Sequence, residues 1–262
     1  RGTGAVDRAI LCDPANDFQP RSTDLEAAAK GARSLLVNSP NNPTGVVYDR
    51  ATWEGIAQTC IAHNLWLISD EVYDTQVWQG AHVSPRTLPG MQERSLVIGS
   101  MSKSHAMTGS RIGWICGPLV VIEHLTNFAT HTTYGVPGFI QDAAEFALSQ
   151  GQELEDEVAA PFRRRRRIAL DLLTQQNLVR AVPCSGAMYL MLDMRTTGLS
   201  GEAFAHALLD AHQIAVMPGE SFGQAAAGHI RVAMTVADDQ FSEALTVLLS
   251  FAAEIFENKR RF

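Results

Sequence analysis

Apolar runs with the length of a buried strand recur along the first 120 residues. We predict strands at Ala9–Cys12, Ser34–Asn38, Leu65–Ser69, Ser95–Gly99 and Arg111–Cys116. Between the second and third runs, apolar side chains repeat at helical spacing over Thr52–His63. A strand, a helix and a strand with short links form a βαβ unit, so the sequence predicts a mostly parallel sheet with helices on both faces. The last run follows too soon for a crossover helix and is expected to be antiparallel.

Outside these strands, the pattern predicts helices up to about residue 175 and both helices and short strands after it. Predicted helices cover Asp24–Lys30, capped by Ser22 or Thr23, then Leu119–Thr130, Phe139–Ser149, 153–175, Gly201–His212 and 238–258. Short strands are predicted at 178–182, 187–192, 214–217 and 229–234. We therefore predict two domains, an α/β domain over residues 1–155 and a smaller α+β domain over residues 156–262.

Composition favours a small-molecule ligand. The 262 residues carry a formal net charge of -7, which argues against a general surface for nucleic acid or for an anionic membrane. Five consecutive arginines at 163–167 fall on a predicted helix behind an acidic turn, and we interpret them as a solvated face. No run approaches the about 18 apolar residues of a membrane span. Four widely spaced cysteines favour reduced thiols, a cytoplasmic location and no metal site.

Lys103 is the first candidate for chemistry, because it lies just beyond the predicted strand Ser95–Gly99. The carboxyl ends of strands in open α/β sheets form ligand crevices. Its neighbours are small residues, and Arg111 follows eight residues later. An amine that is partly desolvated beside a cation is suited to nucleophilic, Schiff-base chemistry. An ordinary exposed lysine after a strand is the alternative.

Two more predicted strand ends carry polar residues. Asn42 lies in Ser39–Gly45, where two prolines favour a rigid loop that positions a hydrogen-bond donor. Simple turn chemistry is the alternative there. Asp70 and Tyr73 follow the strand Leu65–Ser69. Because a buried acid needs a cationic or protonated partner, Asp70 is a candidate to pair with a ring nitrogen, and N-capping of a short helix is the alternative.

Arg231 is the conspicuous polar residue of the predicted C-terminal domain. It interrupts the apolar strand His229–Met234, where a guanidinium group needs an anion. Its planar fork suits a carboxylate, which makes Arg231 a candidate for substrate binding. A salt bridge to an internal Asp or Glu is the alternative.

Four segments, in this order, resemble the class I/II aminotransferases, which are fold type I enzymes of pyridoxal phosphate. They are Asn41–Gly45, Ser69–Tyr73, Ser100–Lys103 with Arg111, and His229–Ala233. The fold that this resemblance implies is a large domain of the pyridoxal-phosphate-dependent transferase type followed by a smaller α+β domain.

The same resemblance implies a role for each candidate residue. Lys103 would carry the internal aldimine, and Asp70 would pair with the pyridinium nitrogen of pyridoxal 5'-phosphate. Tyr73 and Asn42 would bind the phenolic oxygen of the ring. The phosphate would be held by Ser100, Ser102 and Arg111. The substrate would be held by Arg231 at its α-carboxylate and by Asn42.

The implied activity is transfer of an amino group from an L-amino acid to a 2-oxo acid such as pyruvate, in a cytoplasmic homodimer. A finer resemblance, to bacterial arginine:pyruvate transaminases, rests on segments such as 82–85 and 139–143. Family members have a long segment before the region that matches Ala9, and this sequence resembles their carboxyl-terminal two-thirds, so an incomplete large domain is expected. The alternatives are a pyridoxal-phosphate-dependent β-lyase and the effector-sensing domain of a transcription regulator.

Overall fold

The computed structural model describes residues 4–260, so the outermost ends of both predicted domains, 1–3 and 261–262, lie outside the described residues. The strands are β1 (Ser34–Asn38), β2 (Trp66–Asp70), β3 (Ser95–Ser100), β4 (Gly113–Cys116), β5 (Arg180–Ala181), β6 (Tyr189–Asp193), β7 (Met217–Pro218) and β8 (His229–Ala233). The helices are α1 (Ser22–Ala29), α2 (Arg50–Ala62), α3 (Met101–Ser104), α4 (Leu119–Thr132), α5 (Gly138–Ser149), α6 (Gln152–Thr174), α7 (Gly201–His212) and α8 (Asp238–Arg260). None of these helices combines the length and the apolar character needed to cross a bilayer.

The described chain forms two compact units, and the first contains residues 4–39, Tyr48–Val72 and His82–Leu148. Its sheet has the order β1-β2-β3-β4, in which the first three strands are parallel and β4 is antiparallel to β3. Helix α2 connects β1 to β2, and Asp49 caps it by accepting a hydrogen bond from the Thr52 N–H at 2.7 Å. The predicted mostly parallel sheet with an antiparallel last strand is confirmed.

The sheet of the first unit has one buried face and one open face. On one face Val37 and Leu67 are buried. On the other face, Leu36 is 66% exposed and Ile115 is 43% exposed. Side chains alternate between the faces of a strand, and the register from β1 to β4 places Leu36 and Ile115 on the same face.

The second unit contains Pro40–Val47, Tyr73–Ala81 and residues 149–260. Its sheet is antiparallel throughout, in the order β5-β6-β8-β7. The core of the unit is an apolar cluster between this sheet and helices α6, α7 and α8, in which Leu190, Phe204 and Ile230 are fully buried. The α+β character predicted for the C-terminal region is confirmed. The division into 1–155 and 156–262 stays a prediction.

Two local predictions near the N-terminus are wrong. Residues Ala9–Cys12 form no strand and stay exposed or half-buried ahead of a short 3₁₀ turn at Pro14–Asn16. Within residues 4–260 no strand pairs with this apolar run, and four apolar residues alone cannot specify a strand. Helix α1 begins at Ser22 with Arg21 as its N-cap residue and without a side-chain capping bond, so neither Ser22 nor Thr23 caps it.

The arginine run on α6 is not simply a solvated face. The Arg165 side chain is only 13% exposed, and its Nε donates to Asp238 Oδ1 at 2.8 Å. Arg164 donates to the other oxygen of the same carboxylate at 2.8 Å, and Arg166 donates to the carbonyl oxygen of Cys184. Three of the five arginines therefore tie α6 to other parts of the second unit, a contact pattern that charge spacing alone could not reveal.

Candidate functional site

Asp70 ends β2 with a half-buried carboxyl group. The backbone there is fixed by β1, since the Ser39 N–H donates to the Asp70 carbonyl oxygen at 3.1 Å. The carboxylate accepts one hydrogen bond within the described residues, from the Val72 N–H at 3.3 Å. No helix begins at this point, so the N-capping alternative is wrong.

The environment of Asp70 fits a cationic partner. Burial raises the pKa of Asp70 above its ordinary value; the Val72 N–H opposes this shift, and the neighbouring Glu71 charge adds to it. Among the described residues no Lys, Arg or His nitrogen lies within 4.0 Å of this carboxylate. A half-buried carboxylate without a cation gains from a protonated ring nitrogen placed beside it.

Glu71, in contrast, is satisfied within its own unit. It is buried, and its two oxygens contact His82 Nε2 at 2.7 Å and Ser84 Oγ at 3.1 Å. Sequence reasoning did not assign a role to His82 or Ser84, although both lie in one of the segments that carry the finer family resemblance. Of the two adjacent acids, only Asp70 is left for a ligand.

Lys103 lies on α3, a single helical turn that follows β3 directly, and it is half-buried. Ser100 caps this turn by accepting a hydrogen bond from the Ser102 N–H at 3.1 Å. Glycine is required at position 99, because the indole ring of Trp114 from β4 occupies the space that a Cβ atom would need. The turn that carries Lys103 is thus fixed at two places, at the end of β3 and at the first residues of the turn itself.

The predicted phosphate-binding residues lie around the same turn. Thr108 Oγ1 donates to the Ser102 carbonyl oxygen at 3.0 Å, and Arg111 Nη1 donates to the Thr108 carbonyl oxygen at 2.9 Å. Arg111 adopts a left-handed backbone conformation with φ of 53°, which closes the loop before β4. These contacts connect Arg111 to the turn that contains Ser100, Ser102 and Lys103.

Strand pairing brings Asp70 and this turn to the same edge of the sheet. β2 and β3 are parallel neighbours, and their register pairs Asp70 with Ile98, two residues before Ser100. Both strands therefore end together, which is the edge at which open α/β sheets bind ligands. Five predicted site residues belong to this group: Asp70, Ser100, Ser102, Lys103 and Arg111.

The remaining predicted site residues belong to the second unit and meet around Arg231. Its Nη1 donates to Asn42 Oδ1 at 2.8 Å. Its Cζ lies 4.5 Å from the ring centroid of Tyr189 and 4.8 Å from that of Phe222. No carboxylate lies within 4.0 Å of the guanidinium among the described residues, so the internal salt bridge is wrong as an alternative.

Arg231 keeps hydrogen-bonding capacity for an anion. Its Nε is buried and has no hydrogen-bond partner in the part of the chain that the structure describes. A buried N–H group of a cation without an acceptor is unfavourable unless a ligand supplies one. A carboxylate is the ligand group whose two oxygens match the spacing of a guanidinium edge.

Tyr73 reaches Arg231 through Tyr189, which sequence reasoning missed. The hydroxyl oxygens of Tyr73 and Tyr189 are 3.1 Å apart, and their rings meet edge to face at 5.9 Å and 79°. The backbone of the Asn42 loop approaches the same strand, because a Cβ atom on Gly45 would lie 2.8 Å from the Tyr189 carbonyl oxygen. The sequence signal was a tyrosine at the start of an apolar strand, which is ordinary in a core.

The sequence around these positions matches a known protein family. A model of the family "Aminotransferase class I and II" matches residues 1–248. The chain belongs to the class I and II aminotransferases. The segments that suggested this family in the sequence are the segments that hold Asn42, Asp70, Lys103 and Arg231 in the structure.

Individual aminotransferases resemble the chain over most of its length. Arginine–pyruvate transaminase of Pseudomonas aeruginosa is 43% identical over 241 residues, which cover 92% of this chain and 61% of that protein. Aspartate/prephenate aminotransferase of Thermus thermophilus is 36% identical and is covered to 63%. Among solved structures, an aromatic aminotransferase from Pyrococcus horikoshii has a TM-score of 0.85 at 32% identity, over 94% of this chain and 66% of that one.

This aminotransferase chain therefore spans less than two thirds of the length of these relatives. The match confirms the predicted family and fold.

Proposed function

We propose that this class I/II aminotransferase chain serves transfer of an amino group from an L-amino acid to a 2-oxo acid such as pyruvate, with pyridoxal 5'-phosphate as cofactor. The observation that carries the proposal is that Asp70 and the Lys103 turn lie at one sheet edge, where no Lys, Arg or His nitrogen of the described residues is within 4.0 Å of the Asp70 carboxylate. When bound, the cofactor supplies an electron sink for the substrate Cα.

The chain's own residues would hold the cofactor and move the proton. Asp70 would keep a proton on the ring nitrogen, because its carboxylate is half-buried and has no cationic partner in the part of the chain that the structure describes. Lys103 Nζ would attach the cofactor and then carry the proton between Cα and the C4′ carbon. The phosphate would be bound by Ser100, Ser102 and Arg111.

The group around Arg231 would bind the substrate and the phenolic oxygen of the cofactor. The buried Nε of Arg231 supports binding of the α-carboxylate. Asn42 and Tyr73 would donate hydrogen bonds to the phenolic oxygen, and Asn42 would also orient Arg231 through the 2.8 Å contact. None of these groups selects a side chain, so the 43% identical arginine–pyruvate transaminase makes arginine the first donor to test.

We further propose a cytoplasmic homodimer. All four cysteines are free thiols, which supports a reducing compartment. Large apolar side chains on α4 and α5 are exposed, including Leu119, Phe128, Phe139 and Phe146. Exposed apolar surface of this kind supports a dimer in which a second protein surface covers these side chains.

The reaction itself distinguishes a transaminase from a lyase. Purified protein with added cofactor is incubated with pyruvate and a panel of L-amino acids, starting with arginine. We expect alanine to form in proportion to the amino acid consumed. Release of ammonia without alanine would contradict the proposal and would favour the β-lyase.

Covalent attachment can be mapped to one lysine, because the sequence contains only three: Lys30, Lys103 and Lys259. After reduction of the loaded protein with borohydride, we expect the cofactor mass on the Lys103 peptide alone. Lys103→Ala should lose both the label and the absorbance of the bound cofactor. Lys30→Arg and Lys259→Arg are the matched controls and should keep both; a label on either of those lysines would contradict the assignment.

A further inference from the structure

We propose that Tyr189 is a positioning residue that fixes the substrate-binding guanidinium of Arg231 with its ring and the phenol of Tyr73 with its hydroxyl. The proposal rests on the proposed function, because that function gives Arg231 and Tyr73 their roles. It assigns to one side chain the alignment of two groups that would act on different molecules, the substrate and the cofactor.

The ring of Tyr189 forms a surface on which Arg231 lies. In the antiparallel pair β6–β8, Tyr189 is opposite Ala233 and Arg231 is opposite Met191, so the ring and the guanidinium share one face of the sheet. The Arg231 Cζ lies 4.5 Å from the ring centroid, and Tyr189 is only 8% exposed. A cation held against a buried aromatic face loses much of its freedom to rotate.

One nitrogen of the fixed guanidinium is left without an acceptor among the described residues. Asn42 occupies Nη1, and Phe222 provides a second ring 4.8 Å from Cζ. Nε is buried and has no hydrogen-bond partner among the described residues, so this side of the fork is the one available for a carboxylate. Loss of the Tyr189 ring would free the fork to turn and would weaken that carboxylate site.

The hydroxyl of Tyr189 acts on a different group. It lies 3.1 Å from the Tyr73 hydroxyl, and Tyr73 is itself buried. Only one of the two hydroxyls can donate in this contact, so the position and the proton of the Tyr73 phenol depend on Tyr189. Removal of the hydroxyl alone should therefore change the surroundings of the cofactor and leave Arg231 in place.

Two substitutions separate the two roles. Tyr189→Phe keeps the ring and removes the hydroxyl, and we expect the pH at which the absorbance of the bound cofactor changes to shift by about 0.5 unit or more. Carboxylate binding should stay within about twofold of the wild type. Tyr189→Leu removes both groups and should also weaken carboxylate binding by roughly tenfold.

The probe for the carboxylate site is the deaminated analogue of the best amino donor, which is 5-guanidinopentanoate if that donor is arginine. Its binding is measured by calorimetry on the loaded protein, so no turnover is needed. Phe222→Leu tests the second ring and should weaken binding without shifting the absorbance profile. Tyr48→Phe, which removes the hydroxyl of a buried tyrosine in the first unit, is the matched control and should change neither readout.

A double substitution tests whether Tyr189 acts through Tyr73. If it does, Tyr189→Phe should add no further spectral shift to a Tyr73→Phe protein. An absorbance profile of Tyr189→Phe that superimposes on the wild type, or fully additive shifts, would overturn the inference. A wild-type protein that forms no alanine would contradict the proposed function, whereas a wild type that forms alanine with an unshifted Tyr189→Phe profile contradicts this inference alone.

Discussion

Asp70 and Glu71 are neighbours in the sequence and lie in different chemical surroundings. Glu71 has both oxygens in contact with partners, His82 and Ser84. The Asp70 carboxylate accepts only the Val72 N–H within the described residues, and burial raises the pKa of Asp70. A carboxylate that is half-buried without a cationic partner lowers the stability of the folded chain unless a ligand compensates. Asp70, which is proposed to bind the cofactor, thus lowers the stability of the cofactor-free protein.

Asp70→Asn should therefore have opposite effects on stability and on turnover. The pKa of Asp70 is higher in the folded protein than in the unfolded chain, so the folded state binds this proton more tightly. The free energy of unfolding therefore falls as the pH rises from the ordinary pKa of aspartate through the raised pKa. At pH 7 the cofactor-free variant should be more stable than the wild type by less than about 1 kcal/mol, since water screens a half-exposed group. This gain in stability should vanish at pH values below the ordinary pKa range of aspartate.

Urea unfolding of the cofactor-free proteins between pH 3 and pH 8, roughly the span over which aspartate titrates, measures this difference. With cofactor, the same variant should lose turnover by about 100-fold or more while the cofactor stays bound. Asp7→Asn, at an exposed position, is the matched control and should change neither property. Near-normal turnover of Asp70→Asn would refute the pyridinium role.

At the scale of elements, alternation along β1 and β2 decides which positions matter for stability. Leu67 on β2 is fully buried, whereas Leu36 on the neighbouring strand β1 is 66% exposed. Both are leucines in parallel strands of one sheet, so they differ in the face on which they lie. The pair offers an internal comparison of the buried and open faces.

Leu67→Ala should destabilise the protein by about 2 to 5 kcal/mol, because it removes buried methyl groups and leaves a cavity. Leu36→Ala should cost less than about 0.5 kcal/mol, since its side chain already contacts solvent. Chemical denaturation of both variants measures the difference. A large loss at Leu36 would mean that the open face is covered in solution.

Helix and strand positions were mostly predictable because they depend on local pattern. Helix α7 was predicted and found at Gly201–His212, where Ser200 accepts a hydrogen bond from the Ala203 N–H at 3.1 Å. The Ala9–Cys12 prediction failed because a short apolar run needs a pairing partner that no local pattern supplies. The arginines of α6 were misjudged for the same reason, since their partner Asp238 is more than 70 residues away.

At the scale of the whole molecule, exposed apolar side chains on α4 and α5 stand out. Leu119 and Phe128 on α4 are more than half exposed, and α4 has no buried residue. Contiguous apolar surface is rarely left open in a monomer. Self-association through α4 is the outcome that the proposed homodimer predicts.

Sedimentation equilibrium measures this association. The combined variant Leu119→Glu and Phe128→Glu should raise the dimer dissociation constant by at least about tenfold, because each charge would have to be desolvated at the interface. Leu209→Glu places the same change on an exposed leucine of α7 and is the control. Equal effects of both variants, or no effect of either, would contradict an interface through α4.

The sequence by itself determined the family and most of the elements, and it made Asn42, Asp70, Lys103 and Arg231 candidates, because the motifs around them are short and local. Only the tertiary structure decided which of these residues meet. Tyr73 and Tyr189 are 116 residues apart, and Asn42 and Arg231 are 189 residues apart, yet each pair is in hydrogen-bond contact. Such contacts depend on strand register and on loops that return to the same sheet, and no local pattern encodes them.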